Sequence, residues 1–239
     1  MKNVISLVIF SLLALPIFLS SCKKEKDTVQ TKPDFEKTFD VTGFNRIYAA
    51  DTFHFAIKKG NEFKVVAKGA ENDVNKVQCR IDNNQILNIS FEGDVKGNVE
   101  ITITLPLLVS LNLAGGAKAS VTGFQGQPTV LRAVFSGRAK GTISGTGVNT
   151  NVEVGGFSEL TITGSTGNIY GQISADGKLN AYGLVSTEVD LSLTERAKAY
   201  VVAQNVLFGS ASDDSRLYYK GNPATTHFET YGNGAIIHE

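Results

Sequence analysis

The sequence predicts an all-β protein in which short coils of chain stack into a solenoid behind an antiparallel β region. Three observations predict it. An eight-residue pattern with small residues in register recurs six times, at 114–121, 136–143, 155–162, 174–181, 194–201 and 212–219. The copies start 22, 19, 19, 20 and 18 residues apart, a spacing that suits one coil per copy. The segments around them alternate apolar and polar residues, and no window carries the spacing of an amphipathic helix.

The chain begins with a leader. Lys2 precedes residues 4–19, which are apolar apart from Ser6 and Ser11, and Leu19-Ser20-Ser21-Cys22 follows. An apolar stretch this short behind a basic start reads as a secretory signal over 1–21 rather than a spanning helix. The small residues before Cys22 resemble the lipobox of bacterial lipoproteins. That resemblance implies cleavage before Cys22, acylation of its thiol and new amino group, and a stable membrane anchor. Residues 22–38 are rich in Lys, Glu, Asp, Thr and Gln and too poor in apolar groups to order themselves, so they read as a tether. The expected location is the cell envelope, on the outer membrane, with its periplasmic or surface side left open.

Over 39–108 the signals are strands. Residues 52–57 and 63–67 flank Lys59-Gly60-Asn61 and read as one hairpin; residues 78–81 and 86–91 flank Asp82-Asn83-Asn84 and read as a second. Residues 99–105 alternate well and stop at Pro106, which cannot donate to a ladder.

From 109 to 239 the repeat takes over, and its columns assign the faces. Position four is always small: Ala117, Ala139, Ser158, Gly177, Ala197 and Ser215. Position ten is glycine except at Ala203, as a turn that residues with a Cβ avoid would require. Positions six and eight point inward and the odd ones outward, so Leu160 is core and Thr161 surface. The segment 230–237 is a degenerate seventh copy, expected to act as a terminal cap.

The pattern of 136–143, with Phe44-Asn45-Arg46-Ile47-Tyr48, the strand at 101–106 and the run 216–223, closely resembles the putative auto-transporter adhesin head GIN domain family. The resemblance spans about 44–223. It implies a right-handed, single-stranded parallel β-helix capped by an antiparallel region, commonly on bacterial lipoproteins. Thr194-Glu195-Arg196 and Ser212-Asp213-Asp214 depart from the family's Ser-Gly opening, which leaves the geometry of those corners open.

The composition narrows the functions. Lys plus Arg and Asp plus Glu number 23 each, so there is no basic footprint for nucleic acid. No nucleophile elbow, phosphate-cradling loop or metal-ligand spacing occurs, and no cofactor or metal is expected. His54, His227 and His238 are scattered, although His227 and His238 could meet near the cap. Once Cys22 is lipidated only Cys79 remains, in an alternating segment where a plain buried thiol is expected.

Carboxylates are the remaining catalytic candidates: Glu153, Glu159, Asp176, Glu188, Asp190, Glu195, Asp213 and Asp214. Glycoside hydrolysis needs two of them about 5–10 Å apart, and Glu195 and Asp213, both at position two, would be neighbours on coils ~4.8 Å apart. Asp176, Arg196 and Asp214 share position three and would form an ion ladder. Position five reads Lys118, Lys140, Glu159, Lys178, Lys198 and Arg216, a mostly basic stripe whose repulsion Glu159 relieves. Its bland reading is a solubilising edge; its functional reading is an attractor of an anionic glycan. The leading expectation is a non-catalytic envelope adhesin or binding module, held to the membrane by its lipid and meeting a glycan or surface protein. A polysaccharide-acting enzyme using Glu195, Asp213 or Asp214, and a purely structural lipoprotein, are the alternatives.

Overall fold

The computed structural model describes residues 35–95 and 97–239; the leader, Cys22 and most of the proposed tether lie outside them. Among the described residues no helix is long and apolar enough to cross a membrane. The first elements are β1 (Phe35–Phe39), β2 (Arg46–Ala49), β3 (His54–Lys59), β4 (Lys64–Gly69), α1 (Glu71–Val74), β5 (Val77–Ile81), β6 (Ile86–Phe91) and β7 (Glu100–Leu105). Then come β8 (Ser110–Leu113), β9 (Lys118–Thr122), β10 (Gln127–Phe135), β11 (Lys140–Ser144), β12 (Gly147–Val154), β13 (Glu159–Ile173), β14 (Lys178–Leu193), β15 (Lys198–Ala211), β16 (Arg216–Lys220), β17 (Thr225–Thr230) and β18 (Ala235–His238).

From β8 onward the chain makes a β-solenoid of about seven turns. Each turn lays one strand on each of two faces, and every face is a parallel ladder. The first face runs β6, β2, β8, β10, β12 and then the C-terminal parts of β13, β14 and β15 to β17. The second runs β7, β3, β9, β11 and the N-terminal parts of β13, β14 and β15 to β16 and β18.

The repeat fixes this register. Leu160 pairs with Gly141 and Leu179, and Leu179 with Ala199. Leu160, Leu179, Ala199 and Leu217 are buried inside, while Thr161 faces out half-exposed. The small residues in the sixth column have a packing cause: a Cβ on Gly141 would run into the ring of Phe135, which fills the core there.

At the repeat's corner the second position is left-handed in every copy. Gly115, Gly137 and Gly156 have φ of 72° or less, and Ala175, Glu195 and Asp213 adopt φ of 57°, 62° and 59°. The departures from Ser-Gly therefore keep the corner geometry, against the usual preference of residues with a Cβ. Inter-coil hydrogen bonds compensate: the amides of Phe157, Asp176, Arg196 and Asp214 donate to the carbonyls of Gly137, Gly156, Ala175 and Glu195 at 2.7–3.0 Å. These bonds hold Gly137, Gly156 and Ala175 in a single file. The fourth-column side chains Ala117, Ala139, Ser158, Ala197 and Ser215 pack fully buried beneath.

The N-terminal region is mixed. The 78–81 and 86–91 pair forms the expected antiparallel hairpin as β5 and β6. The expected hairpin of 52–57 with 63–67 does not form: β7 inserts between β3 and β4, parallel to one and antiparallel to the other. The coil β2–β3 thus sits between β6–β7 and β8–β9. Only β1, β4 and β5 run antiparallel, as outer strands at this end. Phe44, Phe53 and Phe124 are fully buried, Phe53 stacks on Phe91 with centroids 4.0 Å apart, and Val74 of α1 is also buried, so this end is sealed.

At the other end no element among the described residues covers the last coil. The seventh copy repeats the corner, with Gly232 at φ 61°, and continues both ladders as β17 and β18 rather than folding over them as a cap.

A polar side chain substitutes for ladder contacts at the entry to the stack. Buried Gln127 accepts from the Leu108 amide at 3.2 Å and donates to the Leu108 carbonyl at 2.6 Å. Gln127→Leu leaves both Leu108 groups unpaired in the interior. It should lower unfolding stability by ~2–3 kcal/mol, read as a drop in the denaturant midpoint at unchanged slope.

Candidate functional site

The second face carries the predicted stripe in one unbroken file. Lys118, Lys140, Glu159, Lys178, Lys198 and Arg216 are successive register partners from β9 to β16. The file extends past Lys118 to His54 and Glu100 on β3 and β7, which the repeat did not cover. Side chains in an odd column project from the sheet because even positions are held in the core.

The members differ in what occupies them. Glu159 accepts from Lys140 Nζ at 2.6 Å, which lowers its carboxyl below the usual range and ties up one cation. Lys178 Nζ lies 5.5 Å from the Tyr200 ring centroid. Arg216 donates to the carbonyls of Ser215 and Asn233. Both partners of the Lys140–Glu159 bridge are about half exposed, so it contributes little to stability and leaves the row accessible. Lys118, Ala119, Lys140, Gly141, Thr142, Glu159 and Thr161 line a shallow depression along the row.

Beside the basic row stands an aromatic group that the sequence reading passed over. Tyr200 and Tyr218, both in the seventh column, stack with centroids 5.0 Å apart and planes 6° apart. Tyr182 meets Tyr200 edge-on at 5.4 Å, and Lys220 Nζ lies 4.3 Å from the Tyr182 centroid. The Tyr182 hydroxyl donates to Glu239 at 2.6 Å; its burial and that carboxylate both raise its pKa, desolvation most. Reading the seventh column downward would have found Tyr200 and Tyr218; Tyr182 lies in the ninth and needed the fold.

Five of the eight candidate carboxylates, Glu153, Glu159, Asp176, Asp213 and Asp214, have polar partners of their own. Glu195 and Asp213 are neighbours, as expected, but the Asp213 carboxylate turns into the corner, accepting from the Glu195 amide at 3.1 Å and the Ser212 hydroxyl at 2.9 Å. The expected ion ladder forms only in part. Arg196 grips Asp176 through two bonds of 2.8 and 2.6 Å, which lower the Asp176 carboxyl, whereas Asp214 accepts from Asn233. Glu153 is bridged to Arg132 at 2.6 Å on the first face. Asp190 is on that face too, in a shallow polar depression with Asn151, Glu153, Tyr170, Gln172 and Ser192. Glu188 lies on β14 of the same face, opposite Asn168 and Val206.

Among the described residues no group of His, Cys, Asp and Glu could hold a metal. His227 and His238 do not meet: one is 3.4 Å from Glu229, the other stacks on Tyr219 and contacts the Gly221 carbonyl. Cys79 is half-buried on β5; burial pushes its thiol up to about 12 against the pull of Lys37, so it is unreactive at neutral pH.

Residues 43–223 match the family model described as "Putative auto-transporter adhesin, head GIN domain". The chain belongs to this family. Solved structures share the head GIN domain fold at low identity. A putative adhesin from Bacteroides fragilis NCTC 9343 superposes with a TM-score of 0.75 at 18% identity, covering 87% of this chain and 98% of that one. A protein from Parabacteroides distasonis ATCC 8503 called a putative lipid binding protein gives 0.68 at 13%, and a putative adhesin from the same strain 0.61 at 19%, each with the same coverages. No curated protein matches.

Proposed function

We propose that this chain is a non-catalytic adhesin module of the cell envelope, anchored through Cys22, that holds an anionic polysaccharide along the second face. The observation that carries it is the in-register basic file with its tyrosine flank. Adjacent strands are ~4.8 Å apart, well inside a Debye length of ~8 Å, so the cations act on a polyanion together. The family and its neighbours support the binding class, and the leader supports the envelope. The bonds that the Asp213 carboxylate accepts from the Glu195 amide and the Ser212 hydroxyl favour a structural role at the corner over the enzyme alternative.

The test is binding of residues 34–239, which form one compact unit, to polygalacturonate and dextran sulfate, with neutral dextran as control. The two polyanions should bind, more weakly as salt rises. Replacing Lys118, Lys140, Lys178 and Lys198 together by Glu should abolish binding, and Glu159→Gln, which removes the acid between Lys140 and Lys178, should tighten it. Unchanged binding by the fourfold variant would sink the proposal.

A further inference from the structure

We propose that the open end of the stack joins two copies of this chain head to head, with β17 of one copy pairing antiparallel with β17 of the other. The two ends of the stack are built differently. At the sealed end the outer strands carry the charges that blunt an edge: Glu36 and Lys37 on β1 and Arg80 on β5. At the open end β17 pairs only with β15, and β18 only with β16, among the described residues. Each therefore presents one row of backbone N–H and C=O groups outward. Neither strand holds a Lys, a Pro or a bulge, and every residue of β17 is exposed.

The sequence of β17 is self-complementary in one antiparallel register. Thr226, Phe228 and Thr230 continue the inward rows of Leu207, Gly209 and Ala211, while His227 and Glu229 point outward. Phe228 is 39% exposed at the end of the core. Centring the two-fold on Phe228 places that ring against its own copy, Thr226 against Thr230, and His227 against Glu229 twice. The inward residues then stay inward and each imidazole lies opposite a carboxylate that can accept its N–H. β18, running the other way on the second face, would meet its own copy beneath the same axis, with the half-buried Ile236 and Ile237 covered.

A head-to-tail arrangement does not fit, because the sealed end offers charged antiparallel edges and the one-turn α1. A two-fold contact between like ends closes after two copies and makes no fibre. The contact does not depend on the anchor or on the glycan.

Sedimentation of residues 34–239 over a range of concentrations tests it. The native sequence should form a dimer. His227→Glu, at an exposed position that leaves the fold intact, should weaken it by ~10-fold or more by setting carboxylate against carboxylate at the contact, and Glu229→Lys, which removes the imidazole's acceptor, should weaken it too. The double variant, which sets a carboxylate opposite an ammonium group, should restore it. A monomer at all concentrations, a dimer indifferent to the single variants, or single-variant losses that the double does not rescue would each overturn the proposal.

Discussion

Leu160→Asp should prevent folding, and Thr161→Asp, one residue on, should leave stability within ~0.5 kcal/mol of the native value. Leu160 is 1% exposed and sits mid-stack between Gly141 and Leu179. Replacing it removes a core side chain worth ~2–5 kcal/mol in packing. It also places a carboxylate where neither neighbour can donate a hydrogen bond, and breaking into such a site costs several kcal/mol more. A domain's whole stability is ~5–15 kcal/mol. Coupling makes the loss worse, because each coil is stable only against the next. Thr161 projects from the same strand to the opposite side, between Thr142 and Asn180, where a carboxylate stays in water. Circular dichroism and thermal melts of the two purified variants decide it, and equal melting temperatures would mean that the inward and outward columns are misassigned.

That contrast is available from the sequence because the repeat supplies two kinds of information at once. Alternation says which residues share a face, and the recurrence of Ala117, Ala139 and Ser158 at one motif position says which coils they join. The stripe from Lys118 to Arg216 followed from the same columns, residue for residue. Before residue 109 only alternation was available. It located β3 and β4 but could not reveal that β7 takes the place between them, since a strand's pattern does not name its neighbour. The Gly60-Asn61 turn looks local, yet the Gly60 amide donates to the Leu105 carbonyl. The left-handed corners at Glu195 and Asp213 were hidden for another reason: the hydrogen bonds that enforce them come from adjacent coils, not from the local sequence. The unblunted edge of β17 was hidden too, because a final coil carries the same letters as an internal one.

The first face offers the second large effect, at Gly171. This residue occupies an inward position of β13, in register with Val152 and Leu191, at φ 146°. Residues with a Cβ rarely adopt that backbone region, at a cost of ~1–3 kcal/mol. A Cβ there would also fall on the carbonyl oxygen of Val152 in the preceding coil. The obstacle is backbone, so the coils must part or the strand must twist, and inter-coil hydrogen bonds are lost either way at ~1 kcal/mol each. Gly171→Ala should therefore cost ~3–5 kcal/mol, far more than a methyl group implies. Gly126 provides the control. It too is left-handed, at φ 63°, but nothing lies within 4 Å of its absent Cβ, so Gly126→Ala should cost only ~1 kcal/mol from backbone preference. Denaturant midpoints for the two variants separate close approach of coils from turn preference. Equal losses would show that the coils do not approach at Gly171 as closely as the register requires.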